Sequence, residues 1–195
     1  MQAISKKYGL VQKDYVYTHK YMYDEEVSVS SYLTKENRRC ILECTWKIPQ
    51  PKGVLICIGK NPSKAGCVIK GKFHKSDKTF NIVVKIAIAN NYNGVIFVNM
   101  SSLISTNFNP IITENIRHVN TNKDILKTIL SEGLDVYCYW GVLPSVLKKK
   151  MLLFVLQELR LRDLSLYCSG VNKCKSPRHI GRGSYDCRLT VFTEV

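Results

Sequence analysis

The chain has 195 residues, 45% of them hydrophobic and 10% aromatic, a composition that excludes a disordered tail, a collagen and a coiled coil. Its 29 Lys and Arg against 15 Asp and Glu leave a formal net charge of +14, so the partners to expect are polyanions, nucleic acid first among them. A chain this long buries roughly 70% of its extended surface on folding and needs no disulfide or metal staple.

The eight cysteines, at 40, 44, 57, 67, 138, 168, 174 and 187, include no Cys-x-x-Cys pair, and several fall inside apolar runs where a reduced thiol acts as a small hydrophobe. With no apolar stretch near 18 residues and no signal-peptide pattern over Met1–Leu10, the expectation is a reduced, soluble, cytoplasmic protein with no membrane contact and no obligate protein partner.

Residues 1–37 are polar and tyrosine-rich, without a clear period, and read as an irregular or hairpin-like lead-in to a single domain over 38–195. From Cys40 to Ile48 apolar and polar residues alternate, which predicts a half-buried strand flanking the main sheet. The continuous apolar run 53–59 predicts a strand covered on both faces, ending in the turn Lys60-Asn61-Pro62-Ser63. A helix over 79–91 follows the start signal Ser76-Asp77, and Asn93-Gly94 separates it from a strand over 95–99. The pattern continues with a helix over 121–130, a strand over 134–140, a helix over 146–161 after Pro144, and a short strand over 164–168. Strands alternating with helices predict an α/β fold: three layers, α/β/α, around a central four-stranded, mainly parallel sheet.

Ligands of open α/β sheets lie beyond the carboxyl ends of the strands. Those ends present Lys60–Ser63, Asn99–Ser102, Trp140-Gly141 and the loop Gly170–Gly183, with seven lysines against one acid, Asp77, over residues 53–110. The spacing fits no Walker loop, no dinucleotide fingerprint, no nucleophile elbow and no zinc-deaminase signature. Cys67, His74 and Cys174 lack zinc-ligand spacing, so neither a metal nor a cofactor is expected.

Arg39–Trp46, Asn61-Pro62-Ser63-Lys64-Ala65, Asp77-Lys78-Thr79, Asn99, Trp140-Gly141 and Gly170–His179 together resemble an uncharacterised bacterial and phage family. Its marks are Asn-Pro-Ser-x-Ala and Pro-Arg-His-Pro, and the likeness spans about residues 38 to 183. Ile180 replaces the last proline, and Cys44 stands where an arginine is usual. That pattern is in turn similar to the uracil-DNA glycosylase superfamily, in the order of its strand-end motifs and its His-containing final loop.

The resemblance implies a metal-independent DNA glycosylase, and it assigns roles. Asn61 would hold the attacking water, Asn99 would read the base edge, and His179 would stabilise charge on the departing base. Phe73 is a stacking candidate, and Lys64, Lys173, Arg178 and Arg182 would grip phosphates. Ser63 stands where uracil-selective enzymes carry a bulky tyrosine, which implies room for damaged or 5-substituted pyrimidines, in repair or in defence against modified foreign DNA. Bland readings stand beside these: Asn61 as a turn residue, Asn99 as a strand cap, His179 as one more phosphate contact, Asp77 as a helix N-cap or else a catalytic carboxylate. Two other functions stay open, a nucleic-acid-binding protein without hydrolysis and a hydrolase of free nucleotides or nucleosides.

Overall fold

The computed structural model describes residues 1–18, 26–104, 116–180 and 187–193. The chain opens with α1 (Gln2–Tyr8), then β1 (Val11–Thr18), β2 (Glu26–Leu33), β3 (Arg39–Thr45) and β4 (Val54–Gly59). A small hairpin, β5 (Cys67–Ile69) and β6 (Lys72–His74), leads into α2 (Lys78–Ala89), β7 (Gly94–Asn99), α3 (Ile116–Leu130) and β8 (Val136–Cys138). A helical stretch follows, from α4 (Ser145–Leu147) through a π-helical turn (Lys148–Leu152) into α5 (Leu153–Leu161), before β9 (Leu166–Cys168) and β10 (Thr190–Val191).

The main sheet has the order β1-β2-β3-β7-β4-β8-β9-β10. The four strands predicted from the apolar runs lie side by side as β7-β4-β8-β9, all parallel. The expectation of a four-stranded, mainly parallel sheet is nevertheless corrected. The described sheet has eight strands and is mixed, because β1, β2 and β3 add antiparallel to β7 and β10 adds antiparallel to β9. The lead-in hid its strands because the buried side of β2, Val27, Val29, Ser31 and Leu33, is broken by a serine, and Tyr32 beside it is buried as well, which blurs the alternation. Tyr15 and Tyr17 of β1 are half-buried against the α2 side of the core, while Val11, Lys13 and Val16 are exposed at the sheet edge.

Period-2 alternation divides the core. Leu55, Cys57, Val95, Phe97, Tyr137 and Tyr139 pack under Phe80, Val83, Val84 and Ala87 of α2. Ile56, Ile58, Ile96, Val98, Val136 and Cys138 face the other way, under α1, α3 and the α4–α5 stretch. Helices therefore cover both faces, which is why β4 and β7 could be read as continuous apolar runs. The connections from β4 and from β7 leave towards opposite faces of the sheet, the arrangement that in open α/β sheets sets the ligand crevice beyond the carboxyl ends of the strands.

Among the described residues no helix is long and apolar enough to cross a membrane. Six of the eight cysteines are buried and all eight are free thiols.

Candidate functional site

Beyond the last residue of β4 the chain stays beside the end of β7. Met100 N–H donates to Gly59 C=O at 3.0 Å and Ser101 N–H to Lys60 C=O at 2.9 Å, so the parallel ladder runs past both strands. This holds the Asn61 turn next to Asn99. Gly59 itself is required by contact: a Cβ there would lie 2.6 Å from Asn99 Oδ1 and 2.8 Å from the Tyr139 hydroxyl. The ends of three parallel strands thus meet at one glycine.

Asn99 is 2% exposed, and both its Nδ2 and its Oδ1 are buried without a hydrogen-bond partner. Its backbone is braced instead, since the buried Asn122 of α3 donates its amide to Asn99 C=O at 2.7 Å. An orphaned buried polar group costs about 1–3 kcal/mol, so a carboxamide with neither end paired marks a place where something polar belongs.

Tyr139 is fully buried, and that burial pushes its phenol well above the ordinary tyrosine range, which keeps it a neutral hydroxyl at physiological pH. Its ring meets that of His179 edge-on, with centroids 6.2 Å apart. The backbone around His179 is fixed by the final loop: Gly141 N–H donates to Pro177 C=O at 3.0 Å and Arg178 N–H to Gly170 C=O at 2.8 Å. Gly141 takes a positive φ of 67°, and a Cβ there would come within 2.9 Å of the His179 Cβ. Asn99, Tyr139 and His179 therefore form a continuous line across the strand ends, with half-buried Asn61 two residues past Gly59. The Asn61 amide donates to Pro62 C=O at 3.3 Å.

The remaining predicted residues fall around this line. Ser63 is half-buried, and its carbonyl accepts from the Cys67 thiol at 3.8 Å. Phe73 sits on β6, outside the main sheet, edge-on to Tyr15 at 5.0 Å, so the partner of its ring is a lead-in tyrosine. Lys64 and Lys173 are exposed. Arg178 is exposed too, and its Nε donates to Val171 C=O at 3.0 Å, bracing the loop. Arg182 lies outside the described residues. Asp77 caps α2 by accepting from Phe80 N–H at 3.0 Å, while its other oxygen accepts from Ala65 N–H at 2.9 Å.

Residues 39–179 match the family described as Protein of unknown function (DUF1643). The chain belongs to that family. No curated protein and no solved structure matches it. The DUF1643 match begins at Arg39 and ends at His179, so it takes in every strand of the parallel block.

Three residues at the site were not singled out from the sequence. Tyr139 could have been found from strand alternation, which places it on the same face as Tyr137, but its hydroxyl was lost beside the more conspicuous Trp140-Gly141. Gly59 read as an ordinary strand end. Arg39 stood just before the alternating run from Cys40, where an arginine is expected to be exposed, yet it is 2% exposed.

Beside the line, an apolar cleft of about 210 Å³ runs between the final loop and the helical stretch after β8. Trp140, Leu152, Leu156 and Phe192 line it, and Lys148 and Lys175 stand among the lining residues.

Proposed function

We propose that the protein is a DNA glycosylase that hydrolyses the bond between a sugar and a damaged or modified pyrimidine held out of the helix. The observation that carries this reading is the Asn99 carboxamide, buried and unpaired on both its donor and its acceptor at the carboxyl end of β7. A carboxamide offers one donor and one acceptor side by side, the complement of a nucleobase edge. A flipped base entering the crevice would satisfy both atoms at once.

Around it the chemistry needs three things, and the strand ends supply candidates for each. Water must reach the sugar carbon, and Asn61, at the turn beyond β4, would hold it by its amide oxygen. The C1′–N bond breaks with its electron pair leaving on the base, so charge collects on a base carbonyl, where His179 and the neutral Tyr139 hydroxyl would donate. The water oxygen bonds to C1′ and gives up a proton, and the released base takes one up, leaving an abasic sugar and a neutral free base. Ser63, small where a wall would exclude a 5-substituent, favours enlarged pyrimidines as substrates. The net charge of +14 favours DNA over a free nucleoside.

The test is to incubate the protein with uracil-containing oligonucleotides and with genomic DNAs of differing base modification, scoring alkali-labile sites and released bases by mass spectrometry. Asn99→Ala and Asn61→Ala are expected to lower release about 100-fold or more, as loss of one well-placed polar group does, with DNA binding retained. Tight, salt-sensitive DNA binding with no abasic site on any substrate would overturn hydrolysis and leave a binding protein.

A further inference from the structure

Arg39 is the most deeply buried charged side chain among the described residues, and the line of residues just described does not use it. Its Nη1 donates to the carbonyl of Ala65, in the Asn-Pro-Ser-x-Ala turn, and that carbonyl also accepts from the Cys67 thiol at 3.4 Å. Its Nε–H is buried and has no partner. Among the described residues no carboxylate is hydrogen-bonded to it. An arginine keeps its charge under all physiological conditions, and burying one without a hydrogen-bonded counter-ion is strongly unfavourable.

Two observations place this unclaimed donor. β3 runs antiparallel to β7, with Leu42 opposite Phe97, so Arg39 lies towards the end of β7 that carries Asn99. Ala65, which Arg39 holds, shares a core cluster with Phe97, Tyr137 and Tyr139 on the α2 side of the sheet, the side to which alternation assigns Asn99. The electrostatics agree: burial pushes Tyr15, Cys67 and Tyr139 up, and the Arg39 charge pulls all three back down. Asp77 is the carboxylate whose charge opposes Arg39 at the same three groups, and both its oxygens are committed to backbone N–H groups. Arg39 and Asp77 therefore grip the two ends of one residue, Ala65, and the guanidinium keeps a donor to spare. Of the buried polar atoms without partners, three belong to Arg39 and Asn99, on one face at one end of the sheet.

We propose that Arg39 is a catalytic residue that donates from Nε to a carbonyl oxygen of the departing pyrimidine, so that the base leaves as an anion neutralised by a buried guanidinium. This rests on the glycosylase reading above and adds the charge state of the leaving group. The C1′–N bond cleaves heterolytically, the electron pair spreads onto the base carbonyls facing Arg39, and the base takes its proton only after departure. No general acid is then needed at the base. A guanidinium in a site shielded from water stabilises developing anionic charge without reorganising.

The test compares the protein with Arg39→Gln, which keeps an amide donor for Ala65 C=O and most of the volume. Release is measured across a series of 5-substituted uracils from electron-withdrawing to electron-donating. If Arg39 meets the base, the variant loses about 100-fold with poorly leaving bases and progressively less as the 5-substituent withdraws electrons. An equal fractional loss across the series would reduce Arg39 to a brace for the Ala65 turn and overturn the proposal. A second readout needs no variant and no turnover: the ¹⁵N resonance of the Arg39 Nε–H is followed by NMR as free 5-fluorouracil is added to the intact protein. A shift is expected, and an unmoved resonance in a protein that does release bases would remove Arg39 from the base site. A protein that releases no base from any DNA fails the glycosylase reading itself, a separate outcome from either of these.

Discussion

At the scale of single residues, the site depends on an absence of atoms. Gly59 has no side chain, and Asn99 and Tyr139 occupy the space one would take. Both neighbours belong to chain ends clamped by ladder hydrogen bonds, Met100 N–H to Gly59 C=O at 3.0 Å and Tyr139 N–H to Ile58 C=O at 3.0 Å, so neither can retreat cheaply. Gly59→Ala is expected to cost about 1–3 kcal/mol by overpacking, read as a drop in melting temperature of roughly 2–4 °C per kcal/mol for a chain of this size. On the glycosylase reading it should also weaken substrate binding, because the Asn99 carboxamide is the group displaced. A melting temperature within error of the parent, with Asn99 unmoved, would contradict this. The residues legible beforehand at this scale were Asn61 and Asn99, polar groups just past apolar runs, and His179 in the basic loop that follows the last parallel strand. Arg39 and Gly59 were not, because burial of a cation and contact across strands are properties of packing.

At the scale of elements, α2 and the turn before the β5–β6 hairpin are held by one carboxylate. Asp77 supplies an N-cap to α2 with one oxygen and fastens Ala65 with the other. The two readings of Asp77 separate cleanly by substitution. Asp77→Ala should lose about 1–2 kcal/mol from the cap alone, seen as a lower denaturation midpoint at unchanged m-value. Asp77→Asn keeps an acceptor for Phe80 N–H and should retain base release within a few-fold; abolished release in a stable Asn variant would make Asp77 a catalytic carboxylate instead. Element type was well predicted wherever the apolar period was long: α2 at Lys78–Ala89 against 79–91, and β7 at Gly94–Asn99 against 95–99. Short strands were over-extended, β8 keeping only Val136–Cys138 of 134–140, although Asp135 C=O and Tyr139 N–H still bond to Ile56 and Ile58 of β4 at its two ends. The π-helical turn at Lys148–Leu152 had no signal in the sequence.

For the molecule as a whole, the buried hydroxyls and thiols set an alkaline limit. Burial pushes Tyr15, Tyr92, Tyr137, Tyr139, Cys44, Cys57 and Cys138 above their ordinary values, so the folded state holds these protons more tightly than the unfolded chain. Their contribution is complete below the unfolded values of about 8.5 for cysteine and 10 for tyrosine. It is lost as pH rises from there towards the folded values, each group releasing up to about 1.4 kcal/mol per pH unit. Unfolding midpoints should therefore be flat from neutrality to about pH 8.5 and fall with increasing steepness above it, under reducing conditions and at fixed ionic strength. A midpoint unchanged to pH 11 would show that these groups titrate in the folded protein.

The sequence by itself determined the α/β class, the four parallel strands and the basic charge, because each is written in local periodicity or simple counting. Its strand-end motifs, through the resemblance they carry, also singled out Asn61, Asn99 and His179 as candidates. Only the tertiary structure decided how many strands join the sheet, since the short alternation of Val27 and Val29 in β2 is interrupted by the buried Ser31 and becomes a strand by pairing with β1 and β3. The same holds for the buried charge: an arginine at the head of a strand is exposed by default, and Arg39 is enclosed because β3 runs antiparallel beside β7 and brings it over the Ala65 turn. A site made of unpaired donors and acceptors is invisible in one dimension, because whether a polar group has a partner depends on what folding places beside it.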